Sequence, residues 1–467
     1  MAQKIKGKNY ESVVVTDSNT TVIVDEKAVL YSGGEFDDSL YPGYGIVEDI
    51  VGSPDIGGNT YRIDGRVKAL FSAVATFGDD TTIKLGKTAD VSAALGIGVG
   101  NLDLSDLSTL ETLTLGTIAT SGENSKISIA KGASVSGLIG ASILGESSSI
   151  SNNGDISGTL VGMIAGPINS LLGGLAGDMS VAKQAAAPAA AEMSLINNGL
   201  IESAVGMIGV GAEHLVIENG KKGEIVGFLM GIGSFGLTGT AETSITNAGT
   251  IRVTMSIPEG TIPIPGLTSA AILGFGSTDT IRNTGKIYGD IVLLDGDDTV
   301  NNSGGKIVGD IFGGTGDDTL VVGRAKDVLV ELSGEGTDTV KSAFTYTLSE
   351  NVERLLLLGG KDIDGTGNAG DNYLKGNKGD NVLTGDLGAD TFAFATKGGK
   401  DTIADFSLAE DTLDLSGWKG MTDLAALDAH AKEKNGDVWI TVGKDVLIVA
   451  DHTIADLHTA TILFETV

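Results

Sequence analysis

Gly313-Gly314-Thr315-Gly316-Asp317-Asp318-Thr319-Leu320-Val321 places two carboxylates in a glycine-rich turn just before a large apolar residue. The segment fits the nonapeptide pattern G-G-x-G-x-D-x-U-x at every defined position, with Leu320 as the apolar U. Glycines permit a tight turn whose carbonyls face one centre, and Asp318 adds a hard carboxylate oxygen. All-oxygen donor sets suit Ca²⁺, which takes six to eight such ligands. Gly313, Thr315, Asp317 and Asp318 are therefore the candidate ligands of this turn. Three further copies run in tandem at 367–375, 376–384 and 385–393. Their residues at the acidic position, Asn372, Asn381 and Asp390, extend the candidate metal set.

An acidic turn also recurs before an apolar residue in Asp279-Thr-Ile281, Asp298-Thr-Val300, Asp318-Thr-Leu320 and Asp338-Thr-Val340. The spacings are 19, 20 and 20 residues. A coil of that length stacks one Asp per turn, about 4.8 Å above the last. Such a column repels itself unless a cation lies between coils, which adds Asp298 and Asp338 to the candidate ligands. Asp279, where the Gly-Gly is missing, reads equally well as turn geometry, because Asp is a favoured turn residue.

The elements that must position these side chains are short strands. Asn-Gly corners with flanking aliphatic residues recur around Asn152, Asn198, Asn219, Asn247, Asn283 and Asn302. Alternating apolar residues between such corners read as strands joined by turns that need positive φ. Coils of this kind bury their apolar side chains only by stacking on one another, and a recurring Asn can form a hydrogen-bonded ladder along the stack. An antiparallel sandwich rich in Asn-Gly hairpins is the competing architecture. The expected fold is all-β: a β-solenoid (β-helix) continuing into a parallel β-roll with a small C-terminal cap. Residues 1–116 form an N-terminal β-rich region, 117–345 the solenoid, 346–395 the nonapeptide roll and 396–467 the cap. Inserts near 159–195 and 252–270 break the period, serving either as interaction surface or as a covering flap.

Composition narrows the function. The 467 residues include 70 Gly but only 7 Pro, no Cys, and 61 acidic against 31 basic side chains, for a net charge of −30. Nucleic acid needs a basic face and is not an expected partner. Disulfides and thiolate metal sites are excluded by the missing cysteine. The first ten residues have no apolar core, so a cleavable secretory signal is not expected, and no apolar run reaches the ~18 residues of a membrane helix.

From Asn351 the likeness becomes specific. Asn351-Val-Glu-Arg-Leu-Leu-Leu-Leu-Gly-Gly, Asp364-Gly-Thr-Gly-Asn368-Ala and the tandem nonapeptides resemble the RTX (repeats-in-toxin) family of type I secreted proteins. Gly388-Ala-Asp390-Thr-Phe392-Ala-Phe394, Asp401-Thr-Ile-Ala-Asp405-Phe406 and Asp411-Thr-Leu-Asp414-Leu-Ser416-Gly417 are similar to the segment closing the roll of serralysin-type members. This resemblance covers about the last quarter of the chain. It implies Ca²⁺ binding, export by the type I secretion machinery, and an uncleaved signal within 446–467. Between roll and signal, 422–434 is expected as a short helix capped by Thr422 and ended by Asn435-Gly436.

The family resemblance leaves activity open. No H-E-x-x-H or G-x-S-x-G occurs, and the only histidines are His214, His430, His452 and His458. A polysaccharide lyase, epimerase or hydrolase on a β-helix remains as an alternative, as does an RTX adhesin. Gly162-Met-Ile-Ala-Gly166, Gly206-Met-Ile-Gly209 and Gly227-Phe-Leu-Met-Gly231-Ile-Gly233 also match glycine-zipper packing, but they follow the Asn corners and read better as solenoid strands. The favoured expectation is a non-enzymatic extracellular or cell-surface protein that binds calcium and assembles with itself into a filament, surface layer or adhesive matrix. Surface polysaccharide is a further candidate partner.

Overall fold

The structure is a computed structural model that describes residues 2–9, 13–15, 18–31, 46–48, 58–69, 74–76, 79–93, 118–120, 123–143, 147–165, 190–236, 240–255 and 270–466. It divides into two compact units, Met1–Val292 with Ile307–Gly309, and Leu293–Lys306 with Asp310–Val467.

The first unit is a parallel β-solenoid. Ala2–Ile5, Thr21–Val24, Thr60–Ile63, Thr82–Leu85, Lys126–Ile129 and Ser148–Asn152 pair one upon the next, always parallel and in register. Ala190–Asn197, Ala212–Asn219, Glu242–Asn247 and Thr278–Asn283 continue the same stack. Alternate residues face inward, so register fixes what each column contains. One column reads Val24, Ile63, Leu85 and Ile129, then Asn152, Asn197, Asn219, Asn247 and Asn283, all essentially inaccessible.

That column is the expected asparagine ladder. Asn152, Asn197, Asn219 and Asn247 each donate Nδ2 to Oδ1 of the next member, at 2.9, 3.0, 2.8 and 2.8 Å. Its member from the second coil is Asn197 rather than Asn198. The parallel register of Ala190–Asn197 on Ala212–Asn219 turns Asn197 inward, opposite Asn219.

Residues 1–116, the least repetitive part of the sequence, already belong to the solenoid wherever they are described. Their coils put aliphatic side chains where later coils put asparagine, so the corner signal is missing. The glycine-rich stretches around Gly162, Gly206 and Gly231 are ordinary strands of a second parallel sheet, Asp155–Ala165, Leu200–Val210 and Glu224–Phe235. Of the two inserts, 166–189 and 256–269 lie outside the described residues.

The second unit is a two-layered parallel roll. One layer stacks Thr299–Asn301, Thr319–Val321, Thr339–Ser342, Arg354–Leu357, Tyr373–Lys375, Thr391–Ala395, Thr412–Gly417 and Thr461–Leu463. The other stacks Tyr346–Thr347, Gly365–Thr366, Val382–Thr384, Lys400–Ile403 and Asp445–Val449. Leu320, Val340, Leu355, Leu374, Phe392 and Leu413 form one buried column between the layers.

Asp437–Val442 then adds antiparallel to Asp445–Val449, and Ala431–Lys434 adds antiparallel to Asp437–Val442, closing the roll. The helix ahead of them spans only Leu424–His430, and its cap is Asp423, whose side chain accepts from the Ala426 N–H. The expected helix ends early because Asn435-Gly436 serves as a hairpin turn, with φ of 61° and 97°. That hairpin draws residues 431–434 into the sheet. Among the described residues, no helix is long and apolar enough to cross a membrane.

Candidate metal centre

The turn 313–318 leaves strand Ile311–Phe312 and enters Thr319–Val321, while the turn above it runs from Leu329–Val330 to Thr339–Ser342. Two registers set the chemistry. Thr319 pairs with Thr339, which stacks Asp338 on Asp318. Phe312 pairs with Val330, which places Glu331 beside Gly313 of the previous coil. Asp318, Glu331 and Asp338 thereby converge, each offering one oxygen within 4.8 Å of the others. All three are buried, with 2%, 4% and 1% exposure.

Each carboxylate divides its two oxygens between scaffold and centre. Asp318 Oδ1 accepts from the Asp298 N–H at 2.7 Å, and Asp338 Oδ1 from the Asp318 N–H at 2.9 Å. Glu331 Oε2 accepts a longer bond from the Gly314 N–H at 3.3 Å. Asp318 Oδ2, Glu331 Oε1 and Asp338 Oδ2 are buried with no hydrogen-bond partner. The space they share exists because residue 313 is glycine. A Cβ there would collide with Asp318 Oδ2 and Glu331 Oε1.

Among the described residues, none of the three pairs with a Lys or Arg. Burial pushes the Asp318 carboxyl up to about 7, opposed by the Asp298 N–H and reinforced by the carboxylates of Asp338, Asp297 and Asp317. Burial, with the charges of Asp338 and Asp318, pushes Glu331 up to about 9. Asp338 rises to about 6, again chiefly by burial. Unpaired buried carboxylates are costly unless protons or a cation neutralise them. Three converging anionic oxygens in one enclosed space can hold a metal ion.

The other candidate ligands are placed differently. Thr315 is exposed; its N–H donates to Leu294 O and its hydroxyl to Asp295 Oδ1. Asp317 is exposed too, its Oδ1 accepting from the Thr337 N–H at 2.9 Å. Asp298 is buried one coil before Asp318, linked to it through its own N–H. Asp390 occupies the equivalent position near the end of the roll, with Oδ1 on the Asn372 N–H. Burial pushes it up to about 7, with the Asp411, Asp405 and Asp371 charges adding to the rise. Asn372 and Asn381 are buried, with their amides engaged by protein partners. In the first unit, Asp279 lies among the hydroxyls of Ser234, Thr243 and Ser277 rather than among carboxylates; burial raises it to about 6.

Sequence reasoning missed Glu331. The nonapeptide pattern does not reach it, because the turn 331–338 carries Glu where the pattern has its first glycine and is two residues longer than 313–318. Asp401 was also missed as a site residue. It is buried, is pushed up to about 7 by desolvation, and lines a cavity of about 250 Å³ with Gly376, Asn377 and Gly398. No protein-family model and no curated protein sequence matches the chain.

Proposed function

We propose that this chain is a secreted calcium-binding structural protein that assembles with itself at the cell surface or in the extracellular matrix. The observation that carries the metal part is the buried trio Asp318, Glu331 and Asp338, with one oxygen of each lacking a partner. Ca²⁺ bonds of 2.3–2.6 Å set opposite ligands roughly 4.6–5.2 Å apart, which suits donors spread over as much as 4.8 Å.

The same chemistry supports export. Acidic sites with extracellular affinities, on the order of 10⁻⁴–10⁻³ M, stay empty in the cytosol and fill outside. A cation that binds only the folded coils stabilises them by RT ln(1 + [L]/Kd) per site. The type I route is supported by the tandem nonapeptides and the cap after them. Self-assembly is supported by the architecture, since stacked coils expose long sheet faces and strand edges that favour association.

Negative-stain microscopy in about millimolar calcium, and again in chelator, tests the reading. Ordered filaments or sheets that vanish on chelation are expected. Discrete calcium-folded monomers at high concentration would remove self-assembly, and glycan-binding assays would come next.

A further inference from the structure

The two middle nonapeptides share one sequence, Gly-Asn-x-Gly-Asp-Asn, at 367–372 and 376–381. We infer that this sequence encodes turns that take no metal, because two asparagine side chains in each turn satisfy the polar groups that would otherwise call for a cation. The inference goes beyond the metal reading of Asp318, Glu331 and Asp338 and draws on it only for contrast.

In the acidic turn, the inward oxygen of the sixth residue has no partner. In these two turns nothing is left over. Asn372 Nδ2 donates to Val352 O at 3.2 Å and to Asn368 Oδ1 at 3.1 Å. Asn368 Nδ2 donates to Ser349 O at 2.6 Å and again to Val352 O at 2.8 Å. The next turn repeats the arrangement. Asn381 Nδ2 reaches Ile363 O at 2.6 Å and Asn377 Oδ1 at 3.1 Å. Asn377 Nδ2 reaches Leu358 O at 3.0 Å and Lys361 O at 2.9 Å.

The orientation of these amides follows from their partners. Asn372 Oδ1 accepts from the Asn368 N–H and Asn381 Oδ1 from the Asn377 N–H, at 2.6 and 2.7 Å. Asn368 Oδ1 and Asn377 Oδ1 accept from the N–H groups of Gly370 and Gly379. A backbone N–H can only donate, so the oxygen of each amide faces it and the NH₂ faces the carbonyls. An amide nitrogen has two hydrogens to give, and all four asparagines give both. Main-chain carbonyls of the preceding turns thus gather around NH₂ groups as they would around a cation. The inward oxygens, Asn372 Oδ1 beside Gly367 and Asn381 Oδ1 beside Gly376, stand where Asp318 Oδ2 stands beside Gly313, and they are already engaged by the Asn368 and Asn377 N–H groups.

The consequence is a division of labour within the roll. The turns at 367–372 and 376–381 close without an ion, whereas 313–318 and 331–338 need one. Hydrogen exchange of the full chain, read by mass spectrometry in chelator and in about millimolar calcium, tests this. Peptides covering 366–384 are expected to be equally protected in both, while peptides covering 313–340 exchange at least tenfold faster in chelator. Equal loss of protection in the two regions on chelation would overturn the inference.

The double variant N372D/N381D provides the second arm. It is expected to lose protection at 366–384 in chelator, regain it in calcium, and take up additional Ca²⁺ in a titration. Unchanged protection of that variant in chelator would overturn the inference. If calcium alters exchange nowhere in the native chain, the metal reading of Asp318, Glu331 and Asp338 fails, and the variant in chelator still decides whether the asparagines matter.

Discussion

At the scale of single residues, the division of each carboxylate into a scaffold oxygen and a free oxygen makes the site separable from the fold. Asp318→Asn can keep the bond to the Asp298 N–H while removing one negative charge. We predict that it weakens calcium binding by roughly tenfold or more, about 1.4 kcal/mol, measured by titration calorimetry; unchanged affinity would remove Asp318 from the ligand set. Gly313→Ala should reduce binding at least as much, since its methyl would enter the space shared by Asp318 and Glu331.

The same residues set a pH dependence. Asp318, Glu331 and Asp338 have folded-state values of about 7, 9 and 6, all above those of the unfolded chain. The metal-free fold therefore holds protons that the unfolded chain releases, and its stability falls as pH rises through that range. Urea denaturation in chelator should show a more stable protein at pH 5 than at pH 8, by a few kcal/mol as an order of magnitude. Calcium should shrink that difference, because binding requires the deprotonated ligands. Greater metal-free stability at pH 8 would contradict the account.

At the scale of elements, the asparagine ladder is the corresponding device of the first unit. Asn219 accepts from Asn197 and donates to Asn247 and to Thr250 O, entirely inside the coil stack. Asn219→Ala leaves buried partners unsatisfied and should cost about 1–3 kcal/mol, measured as a shift in the unfolding midpoint. A shift within error would mean that water or neighbouring backbone replaces the side chain.

The ladder was legible in the sequence because the Asn-Gly corner repeats, even though its members lie 45, 22, 28 and 36 positions apart. The coils before residue 116 were not legible. They use Val24, Ile63 and Leu85 in the same column, and an aliphatic residue between turns carries no mark of which column it fills.

At the scale of the whole molecule, a net charge of −30 opposes compaction. Divalent cations relieve that repulsion at specific sites, and monovalent salt only by screening. We therefore expect about millimolar calcium to promote folding and association where about 0.15 M sodium chloride alone does not, as read by circular dichroism and light scattering. Equal responses to the two salts would point to screening rather than a site.

Composition and motif spacing by themselves determined an all-β coiled architecture, a turn chemistry of hard oxygen donors and the buried column of U residues. These depend on residue type and local period, which a sequence displays directly. The tertiary structure alone decided which donors meet. Glu331 joins Asp318 and Asp338 only because Phe312 pairs with Val330 and Thr319 with Thr339. Asn372 and Asn381 are engaged by protein partners only because carbonyls of neighbouring turns reach their amides. Register between coils is a property of stacking, and strands paired one residue out of step would have turned each of these side chains the other way.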